Sequence, residues 1–300
     1  MTKSLPTLKP GDHIEIIAPA SRCADSLLNE IVELLQGWNL NCTVSPDIFG
    51  EDILCANSDE KRFQALQSAL ENPKTQAILC ARGGYGSMRL IPKLSSLKPV
   101  TQPKLFIGMS DITALHLFLQ QQWGWPCLHG AAALDKFSIE SIQALKSVMF
   151  GEVSEIVFAG TPLNKQAEFT QTIHSTLTGG NLCIVQSGIG TTWQMNPRDK
   201  IILLEEISER GYRVDRMLEH LTQAGQFNHA KAIVFADFIE GNEPNGTSLV
   251  PLVLERFAKS LSVPALQIAG VGHGKTSIAV PLGTHVQLEL GENIKMTISK

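Results

Sequence analysis

The chain has 300 residues, of which 43% are hydrophobic and 18% charged, with a formal net charge of −4. That balance suits a soluble globular protein large enough for two domains, and it leaves no basic footprint for nucleic acid. Six widely spaced cysteines without a C-x-x-C pair, no apolar run of membrane-spanning length and no apolar leader point away from a disulfide framework, a zinc knuckle, a bilayer span and export, so the expected location is the cytoplasm.

The first half alternates strands and helices. HIEIIAPAS (13–21) is a short apolar strand closed by Pro19, and Leu27, Leu28, Ile31, Leu34, Leu35 and Trp38 then recur at helical spacing. A second strand, NCTVSP (41–46), precedes a helix carrying Phe63, Leu66 and Leu70, which Asn57 and Glu60 would open as a capping box. TQAILC (75–80) is a third strand; it runs into a glycine loop, ARGGYG (81–86), and a short helix through Leu94. KLFIG (104–108) is a fourth, followed by the apolar helix DITALHLFLQQ (111–121). Such alternation implies a parallel sheet covered on both faces.

Between 151 and 177 the periodicity fades, so this stretch is expected to connect an N-terminal domain (1–150) to a C-terminal one (178–300). The second domain opens at TGGNLCIVQ (178–186) and contains IILLEE (201–206), a helix with Val214, Met217, Leu218 and Leu221, the strand KAIVFADF (231–238), a helix at 249–260 and the strand PALQIA (264–269). Its end alternates apolar and polar residues in HVQLEL (285–290) and NIKMTIS (293–299), as an antiparallel hairpin turning at Gly291 and Glu292 would.

Three places carry chemistry. The stretch AGVGHGKTS (269–277) has the spacing of a phosphate-binding loop, but that loop needs a helix directly after it, and TSIAVPLG (276–283) is β-branched and broken by Pro281. The better description is a glycine loop that presents His273 at the end of a strand. Ser110 sits at a strand-to-helix turn in G-x-S-D-I. That is the place of a nucleophile elbow, and the N–H of Asp111 is available there for an oxyanion. The same position also suits a helix N-cap. Glycines 83, 84 and 86 bring backbone donors close to a ligand. At the end of IILLEE, Glu205 or Glu206 can aim a carboxylate at a common site, but not both, because side chains alternate along a strand. A serine, an acid and a histidine in this order would form a nucleophile, its base and the group that orients the base. Cys80, at the end of a strand, is a further nucleophile candidate without a histidine placed beside it. No H-E-x-x-H or histidine–carboxylate cluster calls for a metal.

The motifs IAPAS (17–21), ARGGYGSMRL (81–90), IGMSDITALH (107–116), LHG (128–130), TGGNL (178–182), LLEE followed by YRVDRMLEHL (212–221), GVGHG (270–274) and VPLG (280–283) together resemble the LD-carboxypeptidases. These serine peptidases include muramoyltetrapeptide carboxypeptidase and the microcin C self-immunity peptidases. The resemblance covers nearly the whole chain. It implies an α/β fold, with a Rossmann-like N-terminal domain holding a parallel sheet, a smaller β-rich C-terminal domain and the active site between them, usually in a homodimer. It also implies a triad of Ser110, Glu205 and His273 and an oxyanion hole from the backbone of Gly84 and Asp111, with no cofactor. Glu205 takes precedence over Glu206 because it directly follows the apolar strand. The implied reaction releases a C-terminal D-amino acid from an L,D amide, D-Ala from the murein tetrapeptide in cell-wall recycling. Arg82 and either Arg213 or Arg216 are candidates for substrate carboxylates. The alternatives are a peptidyl-adenylate substrate for the same triad, made less apt by the few aromatic residues after position 190, and a nucleotide-binding enzyme using 269–277.

Overall fold

The computed structural model describes residues 4–299. The first half is built on five short parallel strands, β1 (His13–Ile17), β2 (Asn41–Val44), β3 (Ala77–Cys80), β4 (Leu105–Gly108) and β5 (Cys127–His129). Every residue of β3, β4 and β5 is buried, the continuous apolar run expected of strands covered on both faces. Helices α1 (Asp25–Gly37), α2 (Asp59–Glu71), α3 (Ile91–Leu94), α4 (Thr113–Phe118) and α5 (Ile139–Met149) supply the cover. In α1 the buried Leu28, Ile31 and Leu35 form one stripe at helical spacing. The N-cap of α2 is Ser58, whose hydroxyl accepts from Lys61 N, and not Asn57. Asn57 is drawn off by tertiary contacts: its Nδ2 donates to the Asp47 carbonyl.

The second half holds β6 (Glu155–Pro162), α6 (Lys165–Glu168), β7 (Gln171–Asn181), α7 (Leu182–Ser187), β8 (Lys200–Ile207), α8 (Gly211–Gln223), β9 (Ala232–Ile239), α9 (Val250–Ser260), β10 (Ala265–Ile268), β11 (Val280–Leu282), β12 (His285–Leu290) and β13 (Ile294–Ser299). Among the described residues, seven of these strands close into a barrel in the order β10-β6-β13-β12-β7-β8-β9. Strands β7 to β10 run parallel and the rest antiparallel, with β12 and β13 forming the expected hairpin. The barrel interior is filled by side chains such as Leu177, Leu203, Val234, Leu266, Leu288 and Met296.

Two boundaries differ from the expectation. The stretch 151–177 is not a connection: it supplies β6 and the first seven residues of β7, both staves of the barrel. Only Phe158 of β6 is buried, so the strand shows too weak an apolar alternation to be read from sequence. The other is β11, which leaves the barrel and pairs antiparallel with β5, Val280 opposite His129, so the sheet order is β11-β5-β4-β3-β1-β2. A continuous apolar core then joins the halves, bringing Phe106, Ile112, Leu115 and Phe118 of the first together with Leu182, Leu204 and Val214 of the second.

Candidate active site

Ser110 follows β4 directly, and its φ of 61° lies in the left-handed region, rare for a residue with a side chain. It does not cap the next helix: the single 3₁₀ turn at 110–112 has Met109 in the cap position, with no side-chain cap bond. The turn is strained and anchored, as an elbow requires. The carboxylate of Asp111 accepts from Ser87 N at 2.8 Å, and the Asp111 carbonyl accepts from Ser87 Oγ at 2.6 Å, which pins the serine turn to the end of the glycine loop.

That loop presses on Ser110. A Cβ added at Gly83 would lie 2.9 Å from the Met109 carbonyl and 3.2 Å from Ser110 Oγ, so only glycine lets the backbone pass so near the hydroxyl. Ser21 supports the loop from beneath, its N–H donating to the Gly83 carbonyl and its Oγ accepting from Tyr85 N. The buried Arg62 clamps both loops, donating to the carbonyls of Pro19, Asn57 and Gly86.

From the barrel comes the acid. Glu205 is fully buried near the end of β8, where the pairing with β9 slips between Leu204 and Glu206. Its Oε2 lies 2.8 Å from His273 Nδ1, which leaves Nε2 as the ring atom available to the cleft. Gly272 makes this approach possible, because a Cβ there would stand 2.9 Å from the same oxygen. Burial alone would lower the pKa of His273, but the hydrogen bond and charge of Glu205, with the charge of Glu206, outweigh it, and the net shift is upward. Glu206 points elsewhere, accepting from Asn181 Nδ2, Cys183 N and Ile207 N. Burial pushes its pKa up to about 7 despite these donors.

The loop bearing His273 is held from both halves. Asp237 at the end of β9 accepts from Gly270 N, Ser277 N donates to Ser141 Oγ, and Ser138 N donates to the Lys275 carbonyl. No helix follows this loop; the chain enters β11 instead, which removes the helix terminus that a phosphate loop would need. Cys80 is buried, with its thiol pKa raised well above the ordinary value by burial and by Cys127 and Asp111, so it presents no thiolate.

Ser110, Gly83, Gly84, Arg82 and His273 line one cleft of about 400 Å³, closed by Met109, Phe137 and Ile207. Ser110 and His273 face this shared space without a hydrogen bond between them among the described residues. The Asp111 side chain is buried against Ser87 and is not part of the cleft lining. Arg213 does not belong to the cleft at all. It forms an ion pair with Glu209 at 2.6 Å and, with Arg216, lines a different pocket beside Cys183 and His220. The helical register of α8 turns both arginines there. Sequence reading missed Lys136, a second cation on the cleft wall, because nothing around it marks it locally.

Comparison with known proteins gives the family. Residues 14–130 match the model of the LD-carboxypeptidase N-terminal domain and residues 174–288 that of the LD-carboxypeptidase C-terminal domain. The chain belongs to the LD-carboxypeptidase family. It is 36% identical to a putative carboxypeptidase of Rickettsia conorii, over 95% of this chain and 90% of that one. The crystal structure of muramoyltetrapeptide carboxypeptidase from Oxalobacter formigenes superposes with a TM-score of 0.80 at 26% identity, covering 96% of this chain and 99% of that one. MccF in complex with glutamyl sulfamoyl guanosine shares the fold with a TM-score of 0.85 at 17% identity, covering 100% of this chain and 99% of that one. Within this member of the family the shared motifs acquire physical roles. TGGNL ties the barrel to α4 through Asn181 N and Thr113 Oγ1 at 3.1 Å, and Asn181 then holds Glu206.

Proposed function

We propose that the protein is a serine-type LD-carboxypeptidase that removes the C-terminal D-Ala from the murein tetrapeptide, acting in the cytoplasm as a homodimer during recycling of wall peptides. Ser110 Oγ attacks the carbonyl of the L,D amide while His273 Nε2 takes its proton and Glu205 steadies the imidazolium. The oxyanion rests on the N–H groups of Gly84 and Asp111, and each such donor is typically worth about 3–4 kcal/mol of barrier. His273 then protonates the departing amine, and water, activated by the same histidine, releases the acyl group. Arg82 and Lys136, both on the cleft wall, receive substrate carboxylates in this reading.

The observation that carries this reading is the 2.8 Å contact between His273 and a wholly buried Glu205, in a cleft shared with a strained serine, on a chain of this family. A peptidyl-adenylate substrate would call for an exposed aromatic platform. Trp193, Phe227, Phe235 and Phe257 are buried in the core, Phe238 packs half-buried against it, and the exposed Tyr212 lies on α8 beside Arg210 and Arg216, outside the cleft. The test is incubation with L-Ala-D-Glu-meso-diaminopimelate-D-Ala and detection of free D-Ala by mass spectrometry. Release by the wild type and none by Ser110→Ala is expected; a folded wild type that leaves the tetrapeptide intact overturns the proposal.

A further inference from the structure

Glu205 uses only one carboxylate oxygen on His273. Oε1 has no hydrogen-bond partner among the described residues, although the side chain is fully buried. A buried acceptor without a donor is costly, and natural structures rarely leave one. Facing it at 3.7 Å is Nε2 of His129, a side chain only 2% exposed whose two ring nitrogens also lack partners. The gap exceeds the usual N–H···O limit by about 0.5 Å, a small repacking of one ring. Behind His129 stands His116, fully buried and equally without partners, its ring set edge-on at 6.2 Å from His129 and 5.9 Å from Phe106.

We propose that His129 is a positioning residue for the candidate triad: its Nε2–H is the second donor to the Glu205 carboxylate and holds Oε2 toward His273. The inference rests on the triad reading given above. His129 ends β5 opposite Gly108 of β4, two residues before Ser110, and also opposite Val280 of β11. The contact therefore joins the barrel's acid to the sheet that carries the serine, and sets the distance between halves where the chemistry needs it. The other titratable groups around Glu205 are His273, Glu206 on the same strand and Asp237 on β9, and the oxygens of both acids are engaged elsewhere, Glu206 with Asn181, Cys183 and Ile207 and Asp237 with Gly270. Burial holds the pKa of His129 down against the pull of Glu205, with His273 adding to the downward push, and His116 is held well below its ordinary value by burial and by His129. A neutral His129 donates without neutralising the acid, whereas a cationic one would compete with His273 for its charge.

The experiment compares His129→Leu, His129→Asn and His129→Gln by the rate at which a fluorophosphonate labels Ser110 across pH. This readout needs the triad but not a particular peptide, so failure of the tetrapeptide assay leaves it intact. Absence of labelling in the wild type, by contrast, would remove the triad reading itself. His129→Leu and His129→Asn are expected to slow labelling by roughly 10- to 100-fold, the worth of a hydrogen bond to a charged group. Their acid limb should move to higher pH, because Glu205 without its second donor binds the His273 proton more tightly. Gln sets an amide N–H near the position of Nε2 and should restore most of the rate and the profile. Should the Leu variant not fold, the Asn and Gln pair decides alone. Equal labelling by Asn and Gln variants, or wild-type rate and profile in Leu and Asn, would overturn the proposal.

Discussion

The imidazole of His273 is where the electrostatics of the site converge. Burial pulls its pKa down and Glu205 pulls it up more strongly, so the acid limb of kcat/KM should lie above the ordinary histidine value. Replacing the acid by its amide removes the upward pull and leaves burial in place. Glu205→Gln is therefore expected to shift the acid limb to lower pH and to reduce kcat by roughly 10³- to 10⁴-fold, the scale seen when a triad acid becomes an amide. A pH–rate profile checks both, and an unmoved limb would mean that Glu205 does not set the proton affinity of His273. At this scale much was legible in the sequence. Ser110 stands out because a buried strand runs straight into a turn, and His273 because glycines surround it. His129, Asp237 and Arg62 did not, since each matters only through partners far along the chain, and no local pattern distinguishes a histidine that ends one strand from one buried for packing.

At the scale of elements, loops carry the candidate site and strands hold the loops. The glycine loop, the serine turn and the His273 loop each leave the end of a sheet strand or barrel stave and are fastened by side chains from other elements. Gly272 has a φ of 124°, and a Cβ there would meet Glu205 Oε2 at 2.9 Å. Gly272→Ala should cost about 1–3 kcal/mol of stability from backbone strain alone. Its kcat should fall further than that loss explains, because the carboxylate must retreat from the imidazole; chemical denaturation and steady-state kinetics on one sample separate the two. Glu206 chiefly holds structure, its charge adding to the upward pull of Glu205 on His273. Glu206→Ala strands Asn181 Nδ2 and the N–H groups of Cys183 and Ile207, at about 1–3 kcal/mol for each group left dry. The melting temperature should drop while the acid limb of the rate profile moves only slightly, to lower pH, and a variant as stable as wild type would contradict that role. Strands β3 and β4 were readable as elements because they are buried throughout, whereas β5, equally buried but only three residues long, was not read. β6 was not, because most of its residues face outward, and β11 was hidden by its length and by Pro281, a residue tolerated at a sheet edge, which is where β11 sits.

At the scale of the whole molecule, the sequence suggested two domains joined by a link, whereas the chain crosses back. After closing the barrel wall with β10 it passes through the His273 loop and adds β11 to the N-terminal sheet before returning to the barrel as β12. Pairing between residues some 150 positions apart leaves no mark in either segment alone, which is why this crossing was not foreseen. Its consequence is mechanical: serine, acid and histidine are fixed relative to one another by a shared apolar core and a shared strand, not by a hinge. Unfolding should then be a single transition, with tryptophan fluorescence and far-ultraviolet circular dichroism giving coincident curves in urea. Two separated transitions would show that the halves fold independently.

The central claim, that Ser110 is a nucleophile activated by His273, is tested most directly by intact-mass and peptide analysis after treatment with a fluorophosphonate. The account predicts one adduct, located on Ser110, absent in Ser110→Ala and formed far more slowly in His273→Ala. An adduct on another residue, or undiminished labelling of Ser110 in His273→Ala, would contradict it.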